Sequence, residues 1–158
     1  MMNPATVTDN PHFGEKVKCF GKQAALCAEK TWLQKQNNLA TINIEVAPRQ
    51  GESVNWQNKI TIQLSDRELP ELCAVLMGYL PSIHVQRPGK GVEIIRQSQK
   101  LFIRASAGAG RLYVLPVCIG DTFRFSALLL KVLKEQCGLS DETMLLAALR
   151  GAATLNRA

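Results

Sequence analysis

Two stretches in the first half of the chain alternate apolar and polar residues with a period of two, and that pattern leaves few folds open. In residues 40–47, Ile42, Ile44 and Val46 fall on one face and Thr41, Asn43 and Glu45 on the other. In residues 56–64, Ile60, Ile62 and Leu64 fall inward while Lys59, Thr61 and Gln63 fall outward. Successive side chains of a strand point to opposite faces, so each stretch reads as a strand with one dry and one wet face. Antiparallel sheets have that character, whereas parallel sheets, buried on both faces, read as continuous apolar runs.

The rest of the chain supplies more strands and three helices. Residues 16–30 read as strand interrupted at Gly21, where a bend or bulge fits. Ser65 and Glu68 have capping-box spacing for a first helix, with Pro70 delaying its regular part until after Leu69. Leu69, Leu72, Cys73 and Leu76 form its apolar stripe, and Gly78 suits its stop. Residues 83–87 and 92–97 flank Pro88-Gly89, a pair suited to a type II turn. A second hairpin joins 100–105 to 111–117 through the small residues 106–110. Asp121 is placed to cap a helix over about 121–137, apolar through Phe125, Leu128, Leu129 and Val132 and stopped by Gly138. Ser140 would cap a last helix over about 140–151, apolar through Met144, Leu145, Ala148 and Leu149. Strands then a helix, twice, with a helix added at the end, predict an α+β fold.

A chain of 158 residues is one domain's worth. Residues 1–15 are polar, carry Pro4, Asn10 and Pro11, and lack the pattern of a signal or transit peptide. They read as a flexible leader to a single domain over 16–158, and the protein as cytoplasmic, with no apolar run long enough for a membrane span. The five cysteines, Cys19, Cys27, Cys73, Cys118 and Cys137, are odd in number and widely spaced. With only His12 and His84 to join them they fit neither a metal site nor a disulfide framework, and they read as buried thiols.

The net charge of +6 is concentrated. Between Ser82 and Tyr113 lie Arg87, Lys90, Arg96, Lys100, Arg104 and Arg111, with Glu93 the one acidic residue, a local excess of +5. Such a block within one β segment is the footprint expected for a polyanion. If Arg104 pairs with Arg111 across the last hairpin, Phe102 lies opposite Tyr113 and Lys100 opposite Leu115. Two facing arginines call for an anion, and the aromatic pair beside them offers bases a stacking surface. A register slipped by one residue would instead turn both rings into the core. Lys59, Thr61 and Gln63, with Lys18, Lys22 and Lys30 near in sequence, form a second polar, basic face. Trp32 and Trp56 fit either stacking or core roles. Gly21, Ala24 and Ala25 leave little bulk in a strand, which marks a close approach by another backbone or another chain.

Chemistry is harder to find. His84 has no evident partner, no carboxylate pair has an acid–base arrangement, and residues 87–91 lack the spacing of a phosphate loop. No cofactor, metal site or enzymatic activity is expected.

Gly21-Lys22-Gln23-Ala24-Ala25-Leu26, then Ala47-Pro48 followed by Trp56 and Lys59, resemble segments that occur in the same order in the plant Whirly proteins. Leu101-Phe102-Ile103 through Tyr113 and Pro116, into a helix beginning near Phe123, is similar to that family's second half. The chain departs from the family's Lys-Gly-Lys-Ala-Ala-Leu signature: Phe20 stands at the first Lys, and Gln23 is an added residue. The resemblance covers about residues 16–137 and implies two four-stranded antiparallel sheets packed crosswise, each strand set followed by a helix, here with an extra C-terminal helix. It implies a tetramer held by helices, with nucleic acid lying across the strands. In that family the segment matching residues 21–26 takes part in higher assembly and lies near bound DNA, so Gly21, Ala24 and Ala25 are expected at assembly contacts and Lys22 at either. Phe125, Leu128, Leu129 and Val132, with the stripe from Met144 to Leu149, are expected between subunits.

These readings converge on an oligomer that binds single-stranded DNA with little sequence preference. The expected site is Lys22, Trp56, Lys59, Arg87, Lys90, Arg96, Lys100, Phe102, Arg104, Arg111 and Tyr113. Two alternatives stay open: an RNA-binding or annealing protein, as in the kinetoplastid mitochondrial relatives of the Whirly proteins, and an oligomeric scaffold whose basic face meets an acidic protein.

Overall fold

The computed structural model of the chain describes residues 15–157. The expected leader, and His12 with it, therefore lies outside the described residues apart from Glu15. The alternating stretches are strands of a first antiparallel sheet, formed by β1 (Lys16–Phe20), β2 (Ala24–Leu33), β3 (Leu39–Gln50), β4 (Ser53–Val54) and β5 (Ile60–Gln63). Both β4 and β5 pair with β3, so this sheet has five strands where four were expected, the addition being only two residues long. The second sheet is a meander of β6 (Ser82–Arg87), β7 (Lys90–Gln97), β8 (Lys100–Ser106) and β9 (Leu112–Val117). Among the described residues three α-helices, α1 (Glu68–Leu76), α2 (Ile119–Cys137) and α3 (Glu142–Ala153), complete the α+β fold.

Local chemistry accounts for most boundaries. Residues 16–33 form a hairpin, not one bent strand, with its turn at Gly21 to Gln23. Trp56–Asn58 is a turn of 3-10 helix, so Trp56 precedes β5 and is not a strand residue. The capping box is present: Ser65 Oγ accepts from the Glu68 amide at 3.1 Å, and Glu68 Oε1 accepts from the Ser65 amide at 2.9 Å. Pro70 does not delay α1, because it falls in the first turn, where a missing N–H breaks no intrahelical bond. Helix α2 starts at Ile119, which places Asp121 inside its first turn and not at its cap. Asp141, not Ser140, caps α3, its Oδ1 accepting from the amides of Thr143 and Met144.

One core serves both sheets. Leu26, Ile42, Ile44, Val46, Ile60 and Ile62 of the first meet Ile94, Leu101, Ile103 and Leu115 of the second in a single buried cluster that the helices join. Phe125, Leu128, Leu129 and Val132 lie in that cluster, and Ala24 and Ala25 are also fully buried. These residues, expected between subunits, are buried by their own chain: α2 packs Phe125, Leu128, Leu129 and Val132 into the core, and Ala24 and Ala25 lie in β2, paired with Pro48 and Ala47 of β3. Leu145 and Leu149 of α3 are buried likewise, whereas Met144 and Ala148 are exposed. Gly21 lies at a close approach inside the chain as well. A Cβ there would stand far inside van der Waals contact with Leu115 Cδ1, so any larger residue would have to displace that buried side chain where the β1–β2 turn meets β9. Cys19, Cys27 and Cys73 are buried as expected, but Cys118 and Cys137 are exposed. Burial pushes the Cys19 and Cys73 thiols up to about 12, which leaves them unreactive.

The sheets are joined by a row of side-chain donors, three of them charged. Leu64 donates its amide to the Ile42 carbonyl, so the even-numbered residues of β5 bond towards β3 and the odd-numbered ones face the strand's open edge. Each outward carbonyl is met from the second sheet. Arg111 Nη2 donates to Asn58 at 2.8 Å and Lys59 at 3.2 Å, and the Tyr113 hydroxyl donates to Asn58 at 2.9 Å. Lys90 Nζ donates to Thr61 at 2.6 Å and Arg87 Nη2 to Gln63 at 2.8 Å. Arg87 also grips the Glu68 carboxylate with both terminal nitrogens, at 2.9 and 2.6 Å, tying α1 to the joint.

This joint makes stability depend on pH. The hydrogen bonds from Arg87 hold the Glu68 carboxyl below the usual range. Its folded pKa is thus lower than its unfolded one, so its contribution is complete above the ordinary glutamate range and is lost as pH falls through the folded value. Replacing Arg87→Met should cost about 1–3 kcal/mol in urea denaturation at neutral pH. The cost should shrink as pH falls through the folded value, below which Glu68 is protonated in both states of the chain. A cost independent of pH would remove Glu68 from the joint.

Candidate nucleic-acid interface

The joint redistributes the basic block. Arg87, Lys90 and Arg111 are engaged at the β5 edge. Arg96 closes the C-terminus of α1, its Nη1 donating to Val75 at 3.1 Å and Leu76 at 3.2 Å, where the helix presents unpaired carbonyls. Four of the residues expected to meet phosphate therefore hold backbone oxygens of their own chain. Lys22, Lys100 and Arg104 are exposed and have no ion-pair partner among the described residues.

The last hairpin differs from its expected register. Arg104 pairs with Val114 and Phe102 with Pro116, three residues beyond the Arg104–Arg111 and Phe102–Tyr113 pairings. An odd shift turns every side chain of the second strand to the opposite face. Tyr113 consequently lies with Ala105 and Leu115 on the core side, its hydroxyl on the Asn58 carbonyl, and no facing arginine pair exists. The loop closes more tightly than assumed, with the Ala107 amide on the Arg111 carbonyl at 3.0 Å. Phe102 stays on the outer face, half-buried, between Lys100 and Arg104 along β8 and between Ile95 and Pro116 across the sheet. Arg104 stands across from Glu93 in the next row.

Beside Phe102 the two sheets form a cleft of about 690 Å³ lined by Phe20, Gly21, Lys22, Gln23, Arg49, Phe102, Val114 and Pro116. β9 is an edge strand. The β1–β2 turn packs on its core side at Leu115 and borders Val114 and Pro116 on its outer side. The cleft thus brings together Lys22 and Phe102, far apart in sequence, and adds two residues that sequence reasoning did not select. Phe20 is 55% exposed, too much for a core aromatic. Arg49 lies 6.0 Å from the Phe20 ring centroid and donates from Nη1 to the Gly21 carbonyl at 2.8 Å, while its buried Nε has no partner. The phase of β1 could have flagged Phe20, since Val17 and Cys19 point inward and Lys16, Lys18 and Phe20 outward. Arg49 gave no periodic cue.

The track continues along β1. Lys18 Nζ sits 5.5 Å over the Trp56 ring, two residues before Phe20 on the same face. Trp56, Lys18, Phe20, Arg49 and Phe102 therefore alternate ring and cation across both sheets, with Lys22, Lys100 and Arg104 at the margin. Lys59, expected to be free, pairs with Glu45 at 3.0 Å. Trp32 lies at the far end of β2 opposite Ala40, under Lys30, away from this track.

No protein-family model matches the sequence, and no curated protein matches it. Among solved structures, WHY3 from Arabidopsis thaliana superposes with a TM-score of 0.68 at 18% identity, covering 92% of this chain and 99% of that one. The trypanosome MRP1/MRP2 structure gives 0.64 at 8% identity, covering 89% and 99%. A guide-RNA-binding protein complex bound to a guide RNA gives 0.60 at 7% identity, covering 81% and 95%. At such identities the likeness is one of architecture, and it matches the two antiparallel sheets and helices described above: the chain has the Whirly-like fold.

Proposed function

We propose that this protein binds single-stranded DNA with little sequence preference over most of the bound strand, acting as a binding protein and not as an enzyme. The observation that carries this reading is the alternation of rings and cations from Trp56 through Phe20 and Arg49 to Phe102. Exposed rings stack on any unpaired base, while lysine and arginine beside them hold phosphates. A duplex hides its base faces, so the track favours single strands. The Whirly-like fold supports the same reading. The neighbour bound to guide RNA favours RNA as the second one, and nothing in the track reads a 2′-hydroxyl.

Fluorescence anisotropy with one labelled oligonucleotide, as single-stranded DNA, duplex and RNA, tests the proposal. Tight binding of the DNA single strand, weakened by salt, is expected, and the RNA arm decides the polymer. Phe20→Ala and Phe102→Ala should each cost about 1–3 kcal/mol of binding while leaving the fold intact. Lys100→Ala and Arg104→Ala should each lower the salt slope by about 1. Binding to none of the three, or loss of affinity from the charge changes alone, would favour an acidic protein partner.

The tetramer implied by the resemblance belongs to the same proposal, but its contacts need a surface the chain leaves open. Ile119 and Phe123, one turn apart on α2, are 70% and 71% exposed and fit that need better than the buried stripe beside them. In sedimentation velocity, Phe123→Lys should shift the species towards monomer. An unchanged profile would put the contacts elsewhere.

A further inference from the structure

We infer that the bound strand runs on from the cleft across the outer face of the second sheet to His84, whose imidazole is a further stacking ring and a proton-controlled cation for that strand. The inference rests on the single-strand reading above and gives it a course and a pH dependence. Two rows of paired residues cross this face. One runs from Val114 through Arg104 and Glu93 to His84, the other from Pro116 through Phe102 and Ile95 to Ser82. Val114, Pro116 and Phe102 line the cleft, so both rows are continuous with it. Neighbouring strands lie about 4.8 Å apart, which puts His84 about 14 Å beyond Val114. Every residue of the two rows is exposed or half-buried.

His84 does not simply project into solvent. Gly91, its diagonal neighbour on β7, is buried, and a Cβ there would stand 3.2 Å from His84 Nε2. That is closer than an ordinary van der Waals contact, so the imidazole leans over β7 into space that a larger residue would crowd. A ring held against the sheet, on a residue that is itself exposed, offers a base the same kind of surface as Phe20 and Phe102.

Charge gives the ring its second role. The titratable group facing His84 from β7 is Glu93, with Arg104 beyond it on β8. Its neighbours along its own strand, Ser82 and Gln86, are neutral, and β6 is an edge strand. Helix α1 lies on the core side, where its buried residues join Ile83 and Val85. With a neutral imidazole, Glu93 offsets Arg104 and the row carries no net charge. An imidazole changes charge between about pH 5 and 8. Once His84 is protonated, one carboxylate is shared between two cations and the row carries an excess of positive charge. A polyanion favours the protonated form, so affinity rises as pH falls.

The test titrates the full chain by anisotropy with a labelled oligothymidine of about twelve residues. It is run at several salt concentrations, at about pH 7.5 and about pH 5.5. The lower pH should tighten binding about three- to tenfold and steepen the salt slope by about 1. In His84→Phe, which keeps a ring but cannot take a proton, both changes should disappear. At the higher pH His84→Ala, lacking the ring, should bind about tenfold more weakly than His84→Phe. Glu93→Gln removes the carboxylate from the row and should tighten binding at the higher pH. That arm decides the matter if circular dichroism shows a His84 variant unfolded. Affinity indifferent to pH, a rise that survives His84→Phe, equal binding by the two His84 variants, or no effect of Glu93→Gln would overturn the inference and leave the single-strand reading standing. No binding at either pH would overturn both.

Discussion

An open strand edge must be covered, and in this chain the cover is three cations and a tyrosine hydroxyl from the other sheet. The outward carbonyls from Asn58 to Gln63 receive Arg111, Tyr113, Lys90 and Arg87. Edge strands are usually blunted by charge, brevity or a covering segment. Here the covering charges also fix how the sheets meet. Hydrogen bonds from charged donors are the stronger kind, and several in register along one strand define a direction as well as an attraction. With the start of β9 held at Asn58, the same strand meets the β1–β2 turn farther along, at Leu115 on its core side and at Val114 and Pro116 beside the cleft. Gly21 then admits the turn to within contact of Leu115.

The joint also separates two kinds of positive charge that a count cannot tell apart. One kind, Arg87, Lys90, Arg96 and Arg111, faces carbonyls and is structural. The other, Lys22, Lys100 and Arg104, faces solvent on the side where Phe20 and Phe102 lie. Arg49 belongs partly to each, since one end supports the turn and the other is unpaired. A binding surface assembled from the second kind needs fewer charges than the sequence carries, and the rings supply the rest of the grip.

Much of the fold was legible because it rests on local periodicity. The alternation in β3 and β5, the Ser65–Glu68 capping box, the Pro88-Gly89 turn (Gly89 has φ 78°) and the α2 stripe all appear where the pattern placed them. The site was less legible because it depends on pairings between distant segments. Alternation put Phe102 outward correctly, but the partner strand's phase depends on a loop of small residues that closes in more than one way. The shift of three residues sent Tyr113 inward. The roles of Arg87, Lys90 and Arg111 required knowing which strand edge lies open, and that is a property of sheet order. The stripe on α2 was recognised as apolar, yet whether a chain buries such a stripe itself or shares it with a copy is decided by the sheets it meets.

The most direct measurement is photocrosslinking of a 4-thiothymidine oligonucleotide to the protein, with the adducts mapped by mass spectrometry. The account predicts adducts on the peptides that carry Phe20, Trp56 and Phe102, suppressed by competing single strands and much less by duplex. Adducts confined to Trp32 or to the helices, or none above the duplex control, would contradict it.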